Sequence, residues 1–152
     1  MKKILFVCMG NICRSPMAEA IFRDAFEQQK EENFQVDSAA TSQWEIGNPP
    51  HRGTEKILAT HHISTKGMRA RQVSTTDFYE ADYIIGMDQE NVRDLKAIAP
   101  AETKEKIYLY LDRVPGHAGE SIPDPWYTGD FEETYELIQK GLNDWLTFFE
   151  KG

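Results

Sequence analysis

The stretch KILFVCMGNICRSP, residues 3–16, decides the fold that the sequence predicts. Four consecutive apolar residues, Ile4 to Val7, are typical of a central parallel strand that is covered on both faces. Ser15 and Pro16 indicate the start of a helix, because serine is a good N-cap and proline fits the first helical position. The stretch therefore predicts a buried strand, a tight loop and a helix.

The loop inside this stretch, residues 8–15, has the composition of an anion site. Gly10 and Asn11 can adopt a positive φ that turns successive N–H groups inward. A thiol at the end of the strand faces the N-terminus of the next helix, whose free N–H groups favour negative charge. The same field favours a thiolate at Cys8, and Arg14 offers a planar fork for two phosphoryl oxygens.

A lone cysteine after an apolar strand is more often a small buried hydrophobe than a nucleophile. The context favours the nucleophile here, because glycine and asparagine occupy the loop, an arginine closes it and Ser-Pro follows at once.

Beyond the loop, strand-like and helix-like apolar runs alternate along the chain, which predicts an α/β layer architecture. The first helix fades at the polar run 28–33. We predict further strands at 34–39, 82–87 and 107–111, helices at 52–61, 89–97 and 130–150, and loops at 41–50 and 113–129. Asp130 can cap the last helix, and its Trp145 and Phe149 are expected in the core. No repeat or linker interrupts the chain, so we predict a single domain, residues 1–152.

Composition excludes several classes of protein. The formal charge of -8 argues against a nucleic-acid partner held by phosphate neutralisation. No apolar run approaches eighteen residues, so we expect no membrane span, and the apolar start is too short for a signal peptide. Without an export signal, Cys8 and Cys13 are expected to be reduced thiols in the cytoplasm.

Seven segments together resemble the low-molecular-weight protein tyrosine phosphatases. They are VCMGNICRSPMAEA at 7–20, DSAAT at 37–41, NPP-x-RG at 48–53, ARQ at 70–72, F-x3-DYII-x-MD at 78–88, NVRDL at 91–95 and DPWY at 124–127. They follow the family's order over nearly the whole chain. The resemblance implies a four-stranded parallel sheet flanked by helices, with neither a metal nor an organic cofactor.

The resemblance also implies the catalytic roles. Cys8 would be the nucleophile that forms a phosphocysteine, and Asp124 the general acid, although Asp-Pro taken alone indicates only a turn. The implied phosphate-binding loop consists of Met9, Gly10, Asn11, Ile12, Cys13, Arg14 and Ser15.

Supporting roles follow from the same resemblance. Ser15 matches a hydroxyl that assists the cysteine as leaving group, or it is simply the N-cap. Asn11 matches a residue that braces the loop, with Ser38 as a partner. Many relatives have a histidine where this chain has Met68, so we expect a thinner brace around Asn11.

The implied walls of the pocket suggest an aromatic substrate. Trp44, Trp126 and Tyr127 match aromatic positions that sandwich the substrate ring, and a deep slot would exclude shorter phosphoserine. Relatives that act on phosphoarginine carry threonine at the position of Ile12 and lack the paired aromatics. We therefore expect phosphotyrosine as the substrate, with phosphoarginine as the alternative.

Cys13 has two interpretations in the sequence. Cys13 is either a buried spacer or a resolving thiol that forms a disulfide with Cys8, and we favour the second. The four histidines show no ligand spacing and are expected at the surface.

An arsenate reductase would need further cysteines, and a non-catalytic phosphate-binding module would not need the Cys, Arg and Asp together. Expected partners are tyrosine-phosphorylated proteins and a tyrosine kinase, with the chain as a monomer or weak homodimer and a preference for less acidic phosphopeptides.

Overall fold

A computed structural model describes residues 1–152. Its strands and helices, in chain order, are β1 (Lys2–Cys8), α1 (Arg14–Gln28), β2 (Phe34–Ala40), α2 (Arg52–Thr60), α3 (Thr75–Glu80), β3 (Tyr83–Gly86), α4 (Gln89–Ile98), β4 (Ile107–Leu109), α5 (Pro125–Thr128) and α6 (Phe131–Lys151). Two 3₁₀ segments flank β4, at Ala101–Lys106 and Tyr110–Arg113.

The four strands form one parallel sheet in the order β2-β1-β3-β4. The chain moves from β1 to one side to form β2 and then crosses to the other side to form β3. Ligands of open parallel sheets bind at the carboxyl ends of the strands, where the order reverses. This point lies beyond Cys8 of β1 and Gly86 of β3.

Alternation along β1 divides the core into two layers. Ile4, Phe6 and Cys8 pack on one face, in a cluster with buried residues of α1 and α6. Leu5 and Val7 pack on the other face, with buried residues of α3 and α4. Because both faces of β1 are covered, its apolar residues are consecutive, as the sequence predicted.

The predicted parallel α/β fold is confirmed, and the core positions of Trp145 and Phe149 are confirmed with it. Asp130 caps α6, and its carboxylate accepts a hydrogen bond from the N–H of Glu133 at 2.9 Å. The helices α3 and α5 were missed, because six and four residues are too few to show a helical period. The strand predicted at 107–111 ends at Leu109 and continues as a 3₁₀ turn.

The start of α1 differs from the prediction. Cys13, not Ser15, occupies the N-cap position, and its side chain makes no capping hydrogen bond. Pro16 is the third helical residue, which a proline tolerates because N–H groups of the first turn have no helical acceptor. The Ser15 hydroxyl is therefore free for another contact.

None of the helices has the length and apolar character that a membrane-spanning segment requires.

Candidate active site

In and beside the loop between β1 and α1, several carbonyl groups accept hydrogen bonds from later segments of the chain. Thr41 N donates to Cys8 O (3.0 Å), Ser42 N to Met9 O (3.1 Å), His51 N to Ile12 O (2.7 Å) and Thr54 Oγ1 to Cys13 O (3.1 Å). By contrast, four N–H groups of the loop donate to no atom of the chain: those of Met9, Gly10, Ile12 and Cys13. Free amides on a loop with fixed carbonyls form a nest for an anion.

Cys8 lies at the centre of this arrangement and is 3% exposed. Its Sγ accepts a hydrogen bond from the N–H of Asn11 at 3.3 Å and lies 3.0 Å from Ser15 Oγ. Both groups can donate to sulfur and so stabilise negative charge on it. Ser15 therefore contacts the thiol and does not serve as the N-cap.

Asn11 holds the loop in shape through its side chain. Its φ is +58°, a value that asparagine tolerates better than most residues, whereas Gly10 does not adopt the positive φ that we expected. Asn11 Nδ2 donates to Ser15 Oγ (2.8 Å) and Ser38 Oγ (2.9 Å), and Oδ1 accepts from Arg71 N (3.1 Å). Every polar atom of this amide is paired.

Hydrogen bonds extend the brace around Asn11 although no histidine takes part in it. Although Met68 replaces the histidine found in many relatives, Ser38 Oγ donates to the buried carboxylate of Glu19 at 2.6 Å. Glu19 in turn pairs with Arg23 one turn further along α1. The hydrogen bonds thus run from Asn11 through Ser38 into α1 without the histidine.

Arg14 is 2% exposed and lies between two acidic residues. Its Nη1 donates to Asp88 Oδ2 (2.6 Å) and Ile122 O (2.9 Å), and Nη2 lies 3.4 Å from Asp124 Oδ2. Burial alone would lower the pKa of Arg14, but the negative charges of Cys8 and Asp88 outweigh it and raise that pKa. Nε is buried and has no partner, so a phosphoryl oxygen would supply the acceptor that it lacks.

Asp88 was missed by sequence reasoning as a partner of Arg14. It follows β3 directly and caps α4, accepting from the N–H of Asn91 at 2.6 Å. The available signal was its position, because a carboxylate after β3 must lie at the same sheet edge as the loop after β1.

An open cleft of about 200 Å³ lies above the loop. The residues that line it include the sequence candidates Cys8, Met9, Gly10, Ile12, Cys13, Trp44, Asp124, Trp126 and Tyr127, and also Ser42 and Glu45, which were missed. Trp44 and Tyr127 are 80% and 75% exposed, so the aromatic walls stand out into solvent. Asp124 caps α5, and its Oδ1 accepts from Trp126 N at 3.0 Å, which leaves Oδ2 beside Arg14.

Cys13 also lines the cleft, although it is 4% exposed. Burial raises the pKa of its thiol far above the usual range, and the neighbouring Cys8 raises it further. Cys8 and Cys13 are both free cysteines. No three His, Cys, Asp or Glu side chains are placed to hold a metal ion.

A parallel sheet with a buried cysteine after its first strand, a loop of free amides and a buried arginine defines a class of proteins that hold an oxyanion against a thiol. Within this class, the chain belongs to the low molecular weight phosphotyrosine protein phosphatase family, whose model matches residues 3–152.

Individual relatives agree with the family assignment. The chain is 49% identical over 152 residues to low molecular weight protein-tyrosine-phosphatase YfkJ of Bacillus subtilis, covering 99% of this chain and 97% of that one. The crystal structure of YfkJ matches with a TM-score of 0.95, 48% identity and coverage of 99% and 96%. A crystal structure of a Drosophila arginine phosphatase matches with a TM-score of 0.90, 33% identity and 98% coverage of each chain.

Proposed function

We propose that this chain is a protein tyrosine phosphatase that hydrolyses phosphotyrosine and other aryl phosphates through a phosphocysteine. The observation that carries the proposal is the convergence of Cys8, Asp124 and the free loop amides on one cleft, with the unpartnered Nε of Arg14 behind it. Membership of the family supports it.

In the first step, the Cys8 thiolate attacks phosphorus and the bond from phosphorus to the phenolic oxygen breaks. Asp124, in its acid form, donates a proton to the leaving oxygen. Arg14 and the N–H groups of the loop bind the three equatorial oxygens, where charge is spread in the transition state. Asp88 keeps the guanidinium in place through the 2.6 Å ion pair.

In the second step, the Asp124 carboxylate takes a proton from water as the water attacks the phosphocysteine. The bond from sulfur to phosphorus breaks, and inorganic phosphate leaves. Ser15 Oγ, 3.0 Å from Cys8 Sγ, donates to the departing thiolate and makes sulfur a better leaving group.

The walls of the cleft favour a flat aryl group. Trp44, Trp126 and Tyr127 surround the opening, and the apolar side chain of Ile12 lies in the loop below them. A second candidate, hydrolysis of phosphoarginine, is favoured by the likeness to the Drosophila arginine phosphatase. Turnover of matched phosphotyrosine and phosphoarginine peptides separates the two, and faster turnover of phosphoarginine would reverse our choice.

The test of the mechanism uses two variants. Cys8→Ser should abolish release of phosphate from an aryl phosphate. Asp124→Asn should slow turnover more for a poor leaving group than for a good one, because only the poor one needs a proton. Asp112→Asn, which alters an exposed carboxylate in the 3₁₀ segment after β4, is the matched control and should show no such dependence. Substantial turnover by Cys8→Ser would contradict the assignment.

Cys13 supports a further proposal, that oxidation of the site is reversible. Peroxide would oxidise the Cys8 thiolate to a sulfenic acid, and the Cys13 thiol would then displace water to form a disulfide. The negative charge of Cys8 helps to raise the pKa of Cys13, so loss of that charge on oxidation makes Cys13 easier to ionise. Burial, the larger cause of the raised pKa of Cys13, remains after oxidation, so only the part due to Cys8 is removed.

We also infer a cytoplasmic protein that acts on tyrosine-phosphorylated proteins, with a tyrosine kinase as partner, as a monomer or weak homodimer. The chain has two cysteines, and the proposed chemistry uses both thiols, which leaves none for a structural disulfide. Sedimentation of the purified chain over a range of concentrations tests the oligomeric state.

A further inference from the structure

His51 is half-buried behind the cleft, not at the surface as we expected for the histidines. It is the N-cap of α2, where its Nδ1 accepts from the N–H of Gly53 at 2.9 Å. Its own main-chain N–H donates to the Ile12 carbonyl at 2.7 Å. The backbone of His51 is thus hydrogen-bonded to the anion loop, the loop between β1 and α1. The orientation of its ring is fixed by the start of α2.

The imidazole of His51 links two other rings. It stacks on Phe131, with ring centroids 4.9 Å apart and planes 21° apart. It also meets Trp126 edge to face, with centroids 5.7 Å apart and planes at 86°. Trp126 has no other aromatic neighbour, and 57% of its surface is exposed. A line of three rings therefore runs from the first residue of α6 to the wall of the cleft.

Gly53 makes this arrangement possible. A Cβ at position 53 would lie 2.5 Å from ring carbons of Phe131, far inside the roughly 3.5–4.0 Å that carbon atoms prefer. Glycine leaves the space in which Phe131 packs against α2 and stacks on His51. The same residue supplies the N–H that orients the imidazole, so positions 51 and 53 act together.

We propose that His51 is a positioning residue that holds Trp126 as a preformed wall for the aryl group of the substrate. This proposal rests on the proposed function. An exposed tryptophan without a partner must be ordered when substrate binds, and that ordering reduces affinity. A tryptophan already held by an imidazole avoids this loss. His51 does not line the cleft, so its effect should reach the aryl group and not the phosphoryl group.

The experiment separates the ring of His51 from its capping atom. His51→Asn keeps a capping acceptor but has no ring, and His51→Phe keeps a ring but has no acceptor. We expect His51→Asn to raise KM for phenyl phosphate about three- to tenfold, the range that one aromatic pair supports. Its kcat and the inhibition constant of inorganic phosphate should stay within about twofold, because neither depends on the wall. His51→Phe should restore KM but lower Tm, since the cap is lost.

A double-mutant cycle completes the test. In a Trp126→Ala background, His51→Asn should change KM no further. The proposal would be wrong, and the role of His51 structural, in either of two cases. In the first, His51→Asn weakens the binding of phenyl phosphate and of inorganic phosphate equally. In the second, it raises KM as strongly in the Trp126→Ala background. Failure of the proposed function is recognised separately, since the unmodified chain would then release no phosphate from any aryl phosphate.

Discussion

Replacement of Asn11 tests how the anion loop is held. Asn11→Ala and Asn11→Gly delete the same three hydrogen bonds, to Ser15, Ser38 and Arg71. At about 1 kcal/mol for each net hydrogen bond, both variants should lose about 3 kcal/mol of unfolding free energy. The alanine variant should lose about 1 kcal/mol more, because φ is +58° here and glycine accepts a left-handed conformation that alanine resists.

Urea unfolding monitored by tryptophan fluorescence measures these losses. For a chain of this size, 3 kcal/mol corresponds to a drop of about 6–12 °C in Tm. Turnover of an aryl phosphate should fall at least tenfold, about 1.4 kcal/mol in activation free energy, because Ser15 is no longer fixed against Cys8. Asn143→Ala, on the exposed face of α6, is the control and should change stability by less than about 0.5 kcal/mol. The reasoning fails if Asn11→Gly matches the unmodified chain, or if alanine and glycine are equally stable.

Three further predictions concern pH, charge and oxidation. Burial raises the pKa of Asp77, but hydrogen bonds, chiefly from Arg71, outweigh it and hold that pKa below its usual range. Its ionised form therefore stabilises the fold above about pH 4, and this contribution is lost at lower pH. Asp77→Asn should destabilise the protein at pH 7 but not at pH 2–3. An equal loss of unfolding free energy in urea at both pH values would contradict this. Glu45 lines the cleft, so Glu45→Gln should raise kcat/KM for phosphopeptides with acidic neighbours about two- to fivefold at low salt. The increase should be smaller at high salt. If the ratio of kcat/KM for acidic peptides to that for basic peptides did not change, the charge effect would be refuted. After peroxide treatment, Cys13→Ser should recover less activity with added thiol than the unmodified chain, whereas equal recovery would remove the resolving role.

The sequence by itself determined the local part of the site. The strand, loop and helix of residues 3–16 are contiguous, so hydrophobic pattern, glycine and asparagine chemistry and the helix N-terminus all act within one segment. That is why Cys8 and Arg14 were identified from residue types alone. The boundary details failed, as with Ser15, because a hydroxyl that contacts a thiol and one that caps a helix look the same in sequence. Asp124 was reached only through resemblance to a family, since more than a hundred residues separate it from Cys8.

Only the tertiary structure decided which distant groups complete the site. Asp88 pairs with Arg14 because β3 lies beside β1 in the sheet. Glu45 and Ser42 line the cleft because the chain after β2 folds back over the loop. The ring of His51 is positioned by the first residue of α6, which lies eighty residues later in the chain. Each of these contacts depends on chain closure over long sequence separations, and no local pattern records which polar side chain will face which when the sheet is assembled.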